Sequence, residues 1–132
     1  MWVQNNISYS FDKGITTAYD ILESKNGNCI HYALLTAALL KAIGIDTRIV
    51  AGLKYHESRF IFHMWLDYFD EGNWYSIDPI EKNTTYISGL YIRLWVGPSN
   101  FSLYPVINLI QWNYFNLKCI KIEEVKYEYG DN

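Results

Sequence analysis

From Cys29 to Ile43 the chain reads Cys-Ile-His-Tyr-Ala-Leu-Leu-Thr-Ala-Ala-Leu-Leu-Lys-Ala-Ile, apolar nearly all the way round a helical period, with Lys41 its only formal charge. Strong helix formers in this pattern, closed by Gly44 at the C′ position, predict a helix buried on several sides, the central helix of a domain. Upstream, Thr17-Ala18-Tyr19-Asp20 fits a capping box, so a short helix over Ala18 to Lys25 is expected, with Ile21 and Leu22 inward and Asn26-Gly27-Asn28 as its stop. After Gly44 the pattern turns to β. Thr47 to Tyr55 and Phe60 to Phe69 are rich in branched and aromatic residues, Asp70-Glu71-Gly72-Asn73 reads as a hairpin turn, and Trp74 to Asp78 reads as the return strand. Further short apolar and aromatic runs lie at Tyr86 to Val96, Val106 to Trp112 and Tyr114 to Tyr129. In the last, Ile120 and Ile122 share a face until the phase slips at Glu123-Glu124, as at a β-bulge, before Val125, Tyr127 and Tyr129. Helices first and strands afterwards predict an α+β domain whose central helix packs on an antiparallel sheet.

The hairpin also predicts a register. A turn centred on Glu71-Gly72 sets Trp65 opposite Asp78 and His63 opposite Ile80, and the period of two puts His63, Trp65 and Asp67 on one face with Trp74, Ser76 and Asp78. His63 and Asp78 are then diagonal neighbours, close enough for a carboxylate to hold an imidazole's tautomer.

Composition narrows the class. The 132 residues suffice for one core, no repeat or linker interrupts them, and residues 1–132 read as a single domain. Half the residues are apolar and 19% are charged, the reverse of a disordered chain. The net charge is -3 and there is no Lys/Arg run, which leaves nucleic-acid binding without an electrostatic footing. No stretch approaches the roughly 20 apolar residues of a membrane span. The N-terminus lacks the basic-then-apolar order of a signal peptide, making the cytoplasm the default compartment unless the chain, which opens abruptly on Trp2-Val3, is a piece of a longer one.

Cys29 and Cys119 never form a C-x-x-C pair, so neither a disulfide scaffold nor a four-ligand zinc site is suggested. A thiol in the first turn of a helix meets the positive end of the helix dipole and unpaired N–H groups, which favour the thiolate. Cys29 is therefore a candidate nucleophile, against the ordinary alternative of a buried structural thiol. A helix start above the His63–Asp78 face would complete a Cys-His-Asp relay, although His63 could equally be a half-buried core residue and Asp78, before Pro79, a turn carboxylate. Cys119 reads as core and His56 as a solvent-facing residue of a polar loop. His31 reads as a packing or surface residue on another side of the helix from Cys29, and a Cys29/His31/His63 metal site lacks convincing spacing and a fourth ligand.

Gly27-Asn28-Cys29, then Tyr32-Ala33, Leu39-Leu40, Gly44-Ile45, Arg48, Val50 and Gly52, then His63-x-Trp65 and Trp74 with Asp78-Pro79, resemble the transglutaminase-like superfamily. Its core reads roughly G-x-C, an Ala/Leu helix, G-I-x-x-R-x-V-x-G, H-x-W and W-x-x-x-D-P. The resemblance runs from about Trp2 to Pro79, and Gly89-Leu90-Tyr91-Ile92 to Gly97 looks like the strand that follows the core. It implies a papain-like fold with Cys29 as nucleophile, His63 as general base and then acid, and Asp78 as the residue that orients His63. Ile80 departs from the Thr that many relatives have after Asp-Pro. The Cys29 N–H is one implied oxyanion donor; the side-chain donor is not identifiable, with Tyr9 and Gln4 the candidates. The implied chemistry is a cysteine peptidase or amidase acting on a protein or peptide amide through a thioester, without metal or cofactor. A crosslinking transglutaminase and a non-catalytic interaction module are the alternatives, and hydrolysis is favoured because so compact a chain has little material for an acceptor-binding wall.

Overall fold

A computed structural model describes residues 1–11, 14, 17–81, 87 and 89–98. The expected strands over 106–112 and 114–129, and Cys119, lie outside these residues. In chain order the elements are α1 (Trp2–Asn6), β1 (Ser8–Tyr9), α2 (Ala18–Ser24), β2 (Asn26–Gly27), α3 (Cys29–Ala42), β3 (Thr47–His56), β4 (Arg59–Asp70), β5 (Asn73–Ile77) and β6 (Tyr91–Pro98). β5, β4, β3 and β6 form an antiparallel sheet in that spatial order, while β1 and β2 make a separate two-residue parallel pair. The α+β class is as the sequence predicts. The long helix and hairpin fall within a residue or two of their expected limits, whereas α1, β1 and β2 have no counterpart in the apolar pattern. The last described strand begins at Tyr91, after a turn at Gly89-Leu90, and Tyr86, where the expected run starts, lies outside the described residues.

Local chemistry explains the helix limits. Thr17 caps α2 by accepting from Asp20 N at 3.2 Å while Asp20 Oδ2 accepts from Thr17 N at 3.0 Å, and Lys25 ends it in the left-handed region. Asn28 caps α3 by accepting from Ile30 N at 3.2 Å, and His31, in the place usually held by Glu or Gln, accepts from Asn28 N through Nδ1 at 3.1 Å.

α3 is sandwiched. One side sets the small residues Ala33 and Ala37 against Ile49, Ala51, Met64 and Leu66 of the sheet, and the other meets Val3, Ile7 and Ile21 through Tyr32 and Leu35. Each fully buried aliphatic side chain in these layers contributes roughly 1.5–3 kcal/mol relative to exposure. The helix is not buried all round: Leu39 and Ile43 near its C-terminal end stay exposed. None of the described helices is long and apolar enough to cross a membrane.

The opposite face of the sheet is polar at its centre. Asp67 of β4 accepts from Arg48 Nε of β3 at 2.8 Å, from Arg93 of β6 through Nη1 at 2.6 Å and Nη2 at 3.0 Å, and from Ser76 of β5, so one buried carboxylate joins all four strands. Burial disfavours its charge, but the bonds from Arg93, Ser76 and Arg48 outweigh that and hold it below the usual carboxylate range. β6 pairs with β3 through a register shift at Ala51/Gly52, where Ala51 faces Trp95 but Gly52 faces Arg93. The extra residue, Leu94, turns Arg93 to the Asp67 face and Trp95 to the helix face.

Candidate active site

The site begins at the parallel pair. Ser8 lies against Asn26 and Tyr9 against Gly27, with Ser10 N donating to Gly27 O at 2.9 Å, which sets Tyr9 beside the approach to Cys29. A side chain on Gly27 would collide with the His31 side chain, a physical reason for glycine two positions before the thiol. Cys29 is the first residue of α3, partly exposed and free.

His63 and Asp78 come from the polar face of the sheet. β4 and β5 pair Leu66 with Ile77 and Asp67 with Ser76, the register expected from the Glu71-Gly72 turn. His63 Nε2 and Asp78 Oδ2 lie 2.7 Å apart, with His63 5% exposed and Asp78 0%. A carboxylate only accepts, so the ring donates through Nε2–H, leaving Nδ1 for the thiol. The Cys29 side chain lies near enough to the His63 ring to act on its charge. The structure thus brings Cys29, His63 and Asp78 together, in one respect differently from expectation: the body of α3 packs on the other face of the sheet, and Cys29 meets His63 from the helix's first residue. Trp65 stacks on His63 at 6.3 Å between ring centres, and Tyr91 meets both rings, at 6.1 Å from His63 and 5.3 Å from Trp65.

Asp78 is held at both oxygens. Oδ1 accepts from Ile80 N at 3.1 Å, closing a turn over Pro79, while Oδ2 accepts from the Tyr91 hydroxyl at 2.8 Å and Lys54 Nζ at 3.3 Å besides His63. Burial works against an imidazolium at His63, yet the hydrogen bond to Asp78 and the nearby Cys29 side chain prevail and its pKa is pushed up to about 9. Burial likewise opposes the Asp78 charge, but the His63 bond dominates and holds it below the usual carboxylate range. Burial, then the nearby Cys29 and Asp78, raise the Tyr9 phenol, which keeps it a donor.

The remaining sequence candidates sort cleanly. Gln4 is engaged elsewhere, its Nε2 donating to Glu81 O and its Oε1 accepting from the N-terminal amine at 3.1 Å. His31 is a packing residue, buried, with Nε2 at 2.8 Å from Gly14 O and Nδ1 on Asn28. His56 is exposed, 3.7 Å from Glu57. Ile80 packs beside the cluster of Val3, Ile7 and Ile21. Among the described residues no group of three or more His, Cys, Asp or Glu is placed to hold a metal ion. Sequence reasoning passed over Lys54 and Tyr91; the available signal was a lysine two positions after Gly52, on the His63 face of β3.

A free thiol at a helix start, an imidazole beside it and a buried carboxylate behind are a donor set for acyl transfer, carried on an α+β papain-like fold. The sequence profile of the transglutaminase-like superfamily matches residues 1–79, and the chain belongs to that superfamily. It is 34% identical over 70 residues to a protein-glutamine gamma-glutamyltransferase of Pseudomonas aeruginosa, a match covering 45% of this chain and 10% of that protein. Its fold is similar to a crystal structure described as a candidate cysteine protease from Cytophaga hutchinsonii, with a TM-score of 0.64 and 24% identity over 73% of this chain and 33% of the other. The chain thus spans about a tenth of the curated relative and a third of the solved one.

Proposed function

We propose that this chain is the catalytic core of a cysteine hydrolase that cleaves amide, peptide or isopeptide bonds of a protein or peptide through a thioester on Cys29. The observation that carries the reading is the 2.7 Å bond between His63 Nε2 and Asp78 Oδ2, with the Cys29 side chain near the same imidazole. The Cys29 sulfur attacks the carbonyl carbon while its proton resides on His63, and the oxygen takes up the negative charge. The Cys29 N–H and the Tyr9 hydroxyl serve as donors to that oxygen. His63 gives its proton to the leaving amine as the C–N bond breaks, leaving the thioester. Water then attacks, losing a proton to His63, and the acid departs as that proton returns to sulfur. Asp78 orients the imidazole and stabilises its cation throughout.

A second reading has its own support. The likeness to a gamma-glutamyltransferase favours resolution of the thioester by an amine instead of water, joining two chains. The two differ only in the final acceptor, which depends on how well the site excludes water.

Incubating the purified protein with casein, small peptides and peptidoglycan-type crosslinks, with and without added amine, tests both. Released amine or new termini indicate hydrolysis, and amine incorporation indicates transfer. Iodoacetamide should modify Cys29 quickly near neutral pH, and far more slowly in His63→Ala. Alkaline-only reaction like that of a free thiol would sink the nucleophile assignment and leave a binding module.

A further inference from the structure

Three donors converge on one oxygen of Asp78. Besides His63, Oδ2 receives the Tyr91 hydroxyl at 2.8 Å and Lys54 Nζ at 3.3 Å. Lys54 and Tyr91 are direct partners across the β3–β6 pair, which sets ammonium and phenol side by side. The Lys54 side chain is 12% exposed and the Asp78 side chain 0%, so water does little to dilute this pairing. Lys54 is in turn shared with the carboxylate of Glu81, whose side chain is 41% exposed.

A buried cation is not needed to orient an imidazole; one hydrogen bond from the ring does that. Its effect is on charge. Left alone, the Asp78 anion would hold the imidazolium of His63 tightly, and an imidazolium held too tightly is a poor proton donor to a leaving amine. A cation on the same oxygen takes up part of the negative charge, and a second neutral donor spreads what remains.

We propose that Lys54 and Tyr91 are positioning residues that set how firmly Asp78 retains the proton of His63, with Glu81 moderating the Lys54 charge from the solvent side. The proposal rests on the thioester reading in taking His63 as the partner of Cys29. The titratable groups around His63 are Asp78 after β5, Cys29 from α3, Tyr91 from β6, Lys54 from β3 with Glu81 behind it, and Tyr9 of β1, which faces Cys29, Asp78 and Lys54. Arg48 and Arg93 are committed to Asp67.

Iodoacetate reads this without a substrate. As an anion it is drawn to the imidazolium, so its rate at Cys29, followed by mass spectrometry of the Cys29 peptide, falls on the alkaline side as His63 loses its proton. Lys54→Gln removes a cation and moves that limb up by roughly half a pH unit or more. Glu81→Gln strengthens the Lys54 charge and moves it down. Tyr91→Phe moves it up by less, and Lys54→Arg leaves it near the wild-type position. A purely structural role would lower the melting temperature and leave the limb in place. A limb unmoved in Glu81→Gln, or in folded Lys54→Gln, overturns the proposal, and the exposed Glu81 keeps the test open even where Lys54→Gln does not fold. His63→Ala separates the two levels. Loss of the limb there, with none of the other variants shifting it, defeats this inference alone; a limb that persists in His63→Ala defeats the assignment of His63 as well.

Discussion

Gly52 lies directly opposite His63 across the β3–β4 pair, and the space a side chain would fill there is taken by the Ile92 carbonyl and by Trp65 Cη2, 2.7 Å from where a Cβ would sit. The Ile92 carbonyl belongs to backbone and cannot rotate away. Gly52→Ala must therefore push β6 outward, and β6 carries Tyr91 on Asp78. We expect a loss of roughly 2–4 kcal/mol in thermal or urea unfolding. A variant within about 0.5 kcal/mol of the parent would show that the strand gives way freely.

Asp78→Asn is nearly isosteric, yet it presents an amide where His63, Tyr91 and Lys54 all donate. On the proposed mechanism its turnover falls by roughly 10³–10⁴-fold, because the imidazole loses its orienting acceptor and its cation loses its counter-charge. Circular dichroism should report a folded protein. Turnover equal to that of the parent would show that another group orients His63.

The raised pKa of His63 predicts how stability varies with pH. Its folded value of about 9 stands above the ordinary 6.5, so protonation favours the folded state. That contribution is complete below about pH 6.5 and is lost as the pH rises through 9. Asp78 and Asp67 act in the other direction: their depressed values give stability that is present above the usual carboxylate range and lost as the pH falls through the folded values. Melting temperatures should therefore decline on both sides of a plateau near neutrality, and His63→Gln should flatten the alkaline decline. The same alkaline slope in His63→Gln would assign that decline to other groups.

Asp67→Ala leaves Arg48, Arg93 and Ser76 without their shared acceptor. Both guanidinium groups are partly open to solvent, which softens the loss to roughly 2–4 kcal/mol. Denaturant unfolding measures it directly, and a change below about 0.5 kcal/mol would reduce the cluster to surface decoration.

What the chain reveals before folding follows the range of the forces involved. Capping and helix propensity are local, so α2 and α3 are legible to within a residue or two. Strand alternation and turn chemistry are nearly local, so the register that joins His63 to Asp78 is legible too. β1 and β2 are two residues each, too short to show a period, and they exist because Ser8 and Tyr9 find Asn26 and Gly27 across the intervening helix. Tyr91 and Lys54 were invisible as a pair for a similar reason: nothing near either one in sequence announces that β6 will lie beside β3. The side of the sheet that α3 occupies also escaped notice, since alternation defines two faces without naming which one a helix will cover.

The extra residue in β6 has a consequence for how the two halves of that strand can vary. Tyr91, Arg93 and Trp95 follow each other at intervals of two, and an unbroken ladder would point all three the same way. Leu94 divides the strand into two independent segments, one answering to Asp78 and Asp67 and the other to the hydrophobic layer under α3. Deleting that single residue would set Arg93 and Trp95 side by side opposite Gly52 and Ala51, still on opposite faces but in a regular ladder, whereas smoothing the bulge with Leu94 kept would force a guanidinium and an indole onto one face; substitutions within either segment leave the other's neighbours untouched.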